Sequence, residues 1–433
     1  MVSLADVKRS AATLFAQGQP LAALRLYDAI VAAAPLDFDA RIRVADAALA
    51  LGDASSARVY RAAAAYCLRA GHPLAAIVCA RVLEAHGAPS EDIVAALVRD
   101  YGAGSARLGK LASRIALPDA ATPVPVPDVR LPAPADAVPQ AITRAEQETT
   151  REFPAAVHPI PLLSSLSEAA LRRVLGTLVL RRVPAGSLVI REGEPGESFF
   201  FVAGGALRVY ATDGLGRQTE LAQLGEGAVF GEMALLSAQP RTASVAALTE
   251  VDLLEATRAS IGALADELGA VAEALHGFTR ERLLGNLMAT SPLFKPFSRA
   301  QQRDLLRRFT SHDVAPGTVV IREGEAGRGL FVVLSGELDV VRHRAHDAPL
   351  GALRPGDVFG EMALVRDAPT AATVTASRPS TVLFLGRDVV ARIVAAVPEI
   401  KSYLEALAED REIDNQLQLG EDDGGTADEQ ILI

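Results

Sequence analysis

Over roughly the first hundred residues, Ala, Leu and Val recur at helical spacing, and a Gly or Pro interrupts the pattern every fifteen to twenty positions. That rhythm predicts about six helices, paired as three hairpins, within residues 1–116. The period is lost between 117 and 161. Pro118, Pro123, Pro125, Pro127, Pro132, Pro134 and Pro139 interrupt any helix there, and large apolar residues are few. Such composition predicts a semi-extended linker, with room for one short helix around Ala141–Phe153. From Leu162 onward the apolar runs become short and glycine-bounded. Ser198–Val202 and Ala206–Tyr210 flank Gly204 and Gly205, while Gly329–Leu334 and Leu338–Val341 flank Gly336. This is hairpin spacing in an all-β sandwich or roll. Helical segments bracket the first roll at Ser167–Leu175 and Ile261–Met288. Residues 409–433 read as an acidic, solvated, disordered tail containing Glu421, Asp422, Asp423, Asp428 and Glu429.

The β-rich part is doubled. Val189–Gly196 returns as Val320–Gly327, 131 positions later, and Phe230–Leu235 returns as Phe359–Leu364, 129 positions later. Two copies of one domain follow, at 162–290 and 291–408, the second with a loop two residues shorter between these landmarks. The helical part also carries a period. Gly18 and Gly52 stand 34 residues apart, and Gly18, Ala23, Leu24, Tyr27 and Pro35 resemble the second helix of a tetratricopeptide repeat. Ala45 and Gly52 fit the next repeat, whereas Gly71–Ala76 echoes Gly18–Ala23 off the period. A short irregular array is expected, with a generic helical bundle as the plainer alternative. Stacked helical repeats leave a concave face suited to a protein segment. The fold class expected is multidomain α + β: an α-helical repeat domain, then two tandem jelly-roll-like β-rolls with flanking helices.

Composition narrows the function classes. The 43 Lys and Arg against 53 Asp and Glu leave a formal charge of −10, which argues against nucleic acid as a partner, since affinity for phosphate backbones comes largely from cations. No apolar stretch reaches the roughly 18 to 20 residues of a membrane span. The N-terminal residues lack a signal-peptide pattern, so a cytoplasmic protein is expected. Cys67 and Cys79 sit in Ala-rich helical runs and read as small buried hydrophobes.

The chemistry concentrates between Phe230 and Val245. Gly231 permits a sharp turn and the close approach of a ligand. Glu232 offers an acceptor beside it. Met233, Ala234 and Leu235 begin a short helix whose free amides favour an anion. Pro240 stops that helix, and Arg241 adds a forked cation able to pair with a phosphate through two bonds. A carboxylate next to an anion site suits a ligand carrying a phosphate and a free hydroxyl close together, such as a cyclic ribonucleotide.

This stretch resembles the phosphate-binding cassette of the cyclic-nucleotide-binding domain family, which includes kinase regulatory subunits, bacterial catabolite activators and gated channels. The resemblance covers both rolls. It implies that Glu232 accepts the ribose 2′-hydroxyl and that Arg241 binds the cyclic phosphate. Gly231, the amides near Met233 and Ala234, and the Thr242–Ala243 turn complete the cradle. A threonine at the position of Thr242 can contact guanine in this family. Cyclic AMP is the expected ligand, with cyclic GMP left open. The second copy offers Gly360, Glu361, Met362, Ala363, Thr370 and Ala371 at the matching positions, so Thr370 replaces the arginine and a weak or degenerate site is expected. Arg366, four residues earlier, is a substitute cation to weigh. Family members often close the site with an aromatic lid, for which Phe278, Phe294 and Tyr403 are candidates.

No catalytic constellation, Walker loop or zinc-protease helix is present, so neither enzyme activity nor a cofactor is expected. His343 and His346 lack metal-spaced partners. Too little chain after Val397 remains for a DNA-reading domain. The order of docking region, linker and two tandem rolls most resembles a kinase regulatory subunit. The linker, however, lacks an Arg-Arg-x-Ala or Arg-Arg-x-Ser inhibitory segment, and the helical region differs from that family's dimerisation domain. The leading expectation is a cyclic-nucleotide receptor that repacks the helix at Ile261–Met288 and signals to an unidentified protein partner through the helical domain. The alternatives are an interaction scaffold with vestigial rolls and a Ser/Thr-kinase regulatory subunit.

Overall fold

Proline at the first turn and glycine after the last set the frame of the N-terminal region. The computed structural model describes residues 2–109, 111–212, 216–232, 240–241, 243–265, 277, 280, 284–285, 287–288, 291–345 and 347–421. It divides into two compact units, 1–278 and 279–433.

The first unit opens with six helices: α1 (Leu4–Ala16), α2 (Pro20–Ala33), α3 (Phe38–Ala50), α4 (Ser56–Ala70), α5 (Pro73–Ala85) and α6 (Glu91–Tyr101). Pro20 and Pro73 occupy first-turn positions where no amide partner is lost. Ser3 and Asp37 accept the Asp6 and Ala40 amides, and Gly71, left-handed at φ 92°, ends α4. Each helix packs on the next, and their shared core includes Leu24, Ile30, Tyr60, Tyr66 and Leu97. The six helices expected from the spacing are present.

Residues 117–161 are not a free spacer. Strand β1 (Val2–Ser3) pairs with β2 (Pro123–Val124), and α7 (Ala137–Glu146) lies against α2, α3 and α4, burying Ala141, Ile142 and Ala145. The helix starts earlier than expected and ends before Phe153. Pro139 falls in its first turns, where proline is tolerated, and tertiary burial supplies the stability that local propensity lacks.

After α8 (Glu168–Thr177) come β3 (Val179–Val183), β4 (Leu188–Ile190), β5 (Ser198–Gly204), β6 (Leu207–Thr212), β7 (Gln218–Leu224), β8 (Val229–Phe230), β9 (Ser244–Ala247) and β10 (Val251–Thr257). They form two four-stranded antiparallel sheets, ordered β3-β10-β5-β8 and β4-β9-β6-β7. Phe200, Val202, Leu207, Phe230, Val245 and Leu253 fill the space between them. Helix α9 (Arg258–Ala265) follows β10 directly. The remainder of the helix expected at Ile261–Met288 falls largely outside the described residues.

The second unit repeats the plan. Helix α10 (Arg299–Arg308) precedes β11 (Thr310–Val314), β12 (Val319–Ile321), β13 (Gly329–Ser335), β14 (Leu338–Arg342), β15 (Ala348–Leu353), β16 (Val358–Phe359), β17 (Thr373–Ala376) and β18 (Ser380–Gly386). The sheet orders, β11-β18-β13-β16 and β12-β17-β14-β15, match those of the first roll strand for strand. The short α11 (Glu361–Val365) lies between β16 and β17, and α12 (Arg387–Ala396) and α13 (Pro398–Glu421) follow the roll. The acidic tail expected from 409 is therefore helical as far as Glu421. Buried Ile400, Leu404 and Ala408 recur every four residues and anchor that helix.

Within the first unit, helices and roll share a buried ionic seam. Arg43 of α3 contacts Asp39 (3.2 Å), Asp46 (3.1 Å) and Asp252 of β10 (2.9 Å). Arg182 of β3 reaches back to Asp46 at 2.9 Å, and the Tyr60 hydroxyl also donates to Asp46. Burial acts to raise the Asp39 carboxyl, but Lys8 and Arg43 outweigh it and hold the group well below its usual range. This contribution is fully present above the unfolded-state pKa, near 4, and is lost as pH falls further. Stability to urea is expected to drop on acidification below about pH 4. Arg43→Ala removes the cation that Asp39, Asp46 and Asp252 share, leaving them to Lys8 and Arg182, and is expected to cost about 3–5 kcal/mol in the same assay; a loss below about 1 kcal/mol, the scale of an exposed pair, would contradict a buried seam.

Candidate functional site

Stacked phenylalanines fix the turn that carries the site. Phe230 of β8 lies 5.0 Å from Phe200 of β5, with ring planes 20° apart. Immediately afterwards Gly231 turns left-handed at φ 84°. A Cβ on Gly231 would stand 2.7 Å from the Arg241 Nη1 and 3.2 Å from the Ser198 carbonyl oxygen, so only glycine fits. Glu232 follows and is 2% exposed.

Arg241 is anchored at its backbone by the loop between β4 and β5. Its amide donates to Glu194 O at 2.8 Å, and its carbonyl accepts from Gly193 N at 2.8 Å. The guanidinium donates through Nη1 to Gly231 O at 2.6 Å and through Nη2 to Ser198 O at 2.7 Å. Among the described residues it forms no ion pair. Burial lowers the Arg241 pKa from its ordinary value, and the nearby Glu232 carboxylate pulls in the opposite direction. A cation is thus held beside a carboxylate with neutral acceptors on its fork. Of the cradle expected from sequence, Gly231, Glu232, Arg241 and Ala243 are described, whereas Met233, Ala234 and Thr242 lie outside the described residues.

The second roll reproduces the frame with different chemistry. Phe331 and Phe359 stack at 5.0 Å and 18°, Gly360 again has φ 84°, and Glu361 is 1% exposed. Thr370 occupies the backbone seat of Arg241. Its amide donates to Glu325 O at 2.9 Å, and its carbonyl accepts from Gly324 N at 2.9 Å. Its hydroxyl turns back onto Arg322 O at 2.6 Å. A cavity of about 250 Å³ adjoins these groups, lined by Glu361, Met362, Ala363, Thr370, Ala371 and Arg411 among others.

The cation facing that cavity comes from α13. Arg411 Nη1 donates to Glu361 Oε1 at 2.9 Å. Arg366 does not turn toward Thr370; it pairs with Glu412 on the same helix at 2.6 Å. Arg411 was not legible because the segment was read as tail, although the four-residue apolar rhythm from Ile400 carries the helix to it. Phe294 is fully buried, 6.2 Å from Phe309, and is a core residue rather than a lid. Tyr403 is half-buried near Glu361 and Arg411, and burial pushes its phenol up. Phe278 and His346 lie outside the described residues. His343 pairs with Asp347 at 2.5 Å, and among the described residues no group of three His, Cys, Asp or Glu could hold a metal ion.

The cyclic nucleotide-binding domain family matches residues 180–267 and 311–396, the two rolls just described. The cAMP-dependent protein kinase regulatory subunit of Yarrowia lipolytica is 32% identical over 236 residues, which cover 54% of this chain and 59% of that protein. Its Neurospora crassa counterpart is 30% identical over 262 residues, 57% of this chain and 64% of that protein. The chain therefore spans about six-tenths of the length of these relatives. The solved regulatory domain of Toxoplasma gondii PKA with cAMP is 25% identical, covering 57% of this chain and 92% of that one, with a TM-score of 0.28. The chain carries two cyclic nucleotide-binding domains.

Gly231→Ala is expected to push the guanidinium off the Gly231 carbonyl and weaken cyclic-nucleotide binding at least tenfold in a fluorescence competition assay. Unchanged affinity would show that the close approach of Arg241 to Gly231 is dispensable.

Proposed function

We propose that this chain is a non-enzymatic cytoplasmic receptor for a cyclic purine nucleotide, cyclic AMP ahead of cyclic GMP, that reports occupancy of its first roll to a protein partner. The observation carrying the reading is Arg241: a half-buried guanidinium next to a sealed carboxylate, with, among the described residues, only backbone carbonyls on its fork. A ring phosphate supplies the charged acceptor that those carbonyls replace, and Glu232 takes the ribose hydroxyl. No cofactor or metal enters the scheme. Cyclic AMP is preferred because the relatives named above are regulatory subunits of cAMP-dependent kinases. Among the described residues no helix is long and apolar enough to cross a membrane.

Ligand capture takes the fork from Ser198 O, and Ser198 begins β5. Its neighbour Glu197 accepts the Arg258 amide at 2.7 Å through its carbonyl and pairs with the Arg258 side chain at 3.1 Å, at the start of α9. Strand β5 also pairs with β10, which bears Asp252 of the ionic seam, and packs against α5. Two outputs therefore begin at one carbonyl: the helix after the roll, and the helical domain. Nucleotide shifts the population toward the arrangement in which Arg241 faces phosphate, by as much as its affinity differs between the two.

The second roll is a weaker site. Thr370 offers no charge, and Arg411 already occupies Glu361. The relatives' names favour one further reading, a regulatory subunit of a Ser/Thr kinase. Affinity capture of such a kinase, released by cyclic AMP, would establish it; capture of none would remove it.

Titration calorimetry with cyclic AMP tests the receptor reading. Wild type is expected to bind one ligand tightly. Arg241→Ala is expected to lose about 2–5 kcal/mol, roughly 30-fold to several-thousand-fold. Thr370→Arg combined with Arg411→Ala is expected to add a second tight site. Absence of heat with folded wild-type protein would instead favour a scaffold with vestigial rolls.

A further inference from the structure

Helix α7 sits on the helical domain as a ligand sits on a receptor. Its apolar contribution is small: Ala141, Ile142 and Ala145 are buried, and Val138 is partly buried. The rest of the contact is polar. Arg144 pairs with Asp28 of α2 at 2.6 Å, and Glu146 and Glu148 pair with Arg58 and Arg69 of α4. Arg41 of α3, with no exposed surface, donates through Nη1 to the carbonyls of Ala145 and Gln147, both at 2.8 Å, where α7 ends.

Two anchors of this seat are left incomplete. Asp28 Oδ1 and Arg41 Nη2 are both buried without a hydrogen-bond partner among the described residues. Burial raises the Asp28 carboxyl above its usual value despite Arg144, and among the described residues Arg41 donates to carbonyls and forms no ion pair. A buried guanidinium bonded to carbonyls and 5.0 Å from the Tyr66 ring, with one nitrogen left without a hydrogen bond among the described residues, and a carboxylate using one oxygen of two, mark a seat that its present occupant fits imperfectly.

We propose that the face formed by α2, α3 and α4 is a helix-binding site that α7 occupies in cis, and that its partner is an amphipathic helix from another protein that displaces α7. The partner carries a small apolar stripe of the Ala141, Ile142 and Ala145 type. It places an arginine against Asp28 so that both carboxylate oxygens are used. At its C-terminal end it presents a carboxylate to Arg41, pairing the free Nη2. The segment from 117 to 161 then works as a strap: bound, it masks the face; displaced, it frees the chain between the helical domain and the first roll. This inference rests on the packing of the first unit alone and stands whether or not the first roll binds nucleotide.

The test uses the full-length chain and a fluorescein-labelled synthetic peptide of residues 136–150, read by anisotropy. Wild type is expected to bind the peptide weakly, because its own α7 competes. Ile142→Asp, which expels α7, is expected to bind at least tenfold more tightly, and adding Asp28→Ala to that variant is expected to reverse the gain. Arg144→Glu removes one surface-accessible pair without touching the apolar stripe, and keeps the test available if Ile142→Asp fails to fold; a tightening of about threefold or more is expected. Equal peptide affinity in wild type and both variants, or loss of the cooperative urea transition in both, overturns the proposal and makes α7 a fixed part of the helical core.

Discussion

A half-buried guanidinium that, among the described residues, forms no ion pair is the constraint from which the first roll is organised. Arg241 cannot shed its charge, and partial desolvation leaves that charge under-compensated by two carbonyls. The roll holds it there through the backbone: Glu194 and Gly193 clamp the arginine's own amide and carbonyl, and the glycine at 231 makes room for its fork. Such a group is what the proposed function assigns to an anion. Because one of its two acceptors belongs to β5, the proposed ligand capture would act on that strand through a single hydrogen bond.

The second roll shows what the same frame becomes when that residue changes. The stacked phenylalanines, the left-handed glycine and the sealed glutamate are all kept. Threonine satisfies its own hydroxyl against Arg322 O, so no unpaired charge remains in the seat. The free charge is now Glu361, and Arg411 from α13 answers it. The fold thus tolerates either residue, and under the proposed function only the arginine calls for a phosphate.

Much of this was legible in the sequence because it rests on local periodicity and repetition. The six helices, the doubled roll, the Gly231–Glu232 turn and the position of Arg241 all follow from residue order. What escaped depends on tertiary burial. The prolines between 118 and 139 read as a spacer, yet Ala141, Ile142 and Ala145 dock on the helical domain and order the segment. Charge at the C-terminus suggested disorder, while Ile400, Leu404 and Ala408 carried a helix to Arg411. The seam of Arg43, Asp46, Arg182 and Asp252 joins residues more than two hundred positions apart, and no local pattern announces it.

The most direct test of the central claim is a crystal structure of the chain grown with saturating cyclic AMP. The account predicts the cyclic phosphate on the Arg241 fork and the ribose hydroxyl on Glu232, with the Ser198 carbonyl released. Nucleotide seated only in the second roll, or Arg241 still bonded to the Gly231 and Ser198 carbonyls beside a bound ligand, would contradict it.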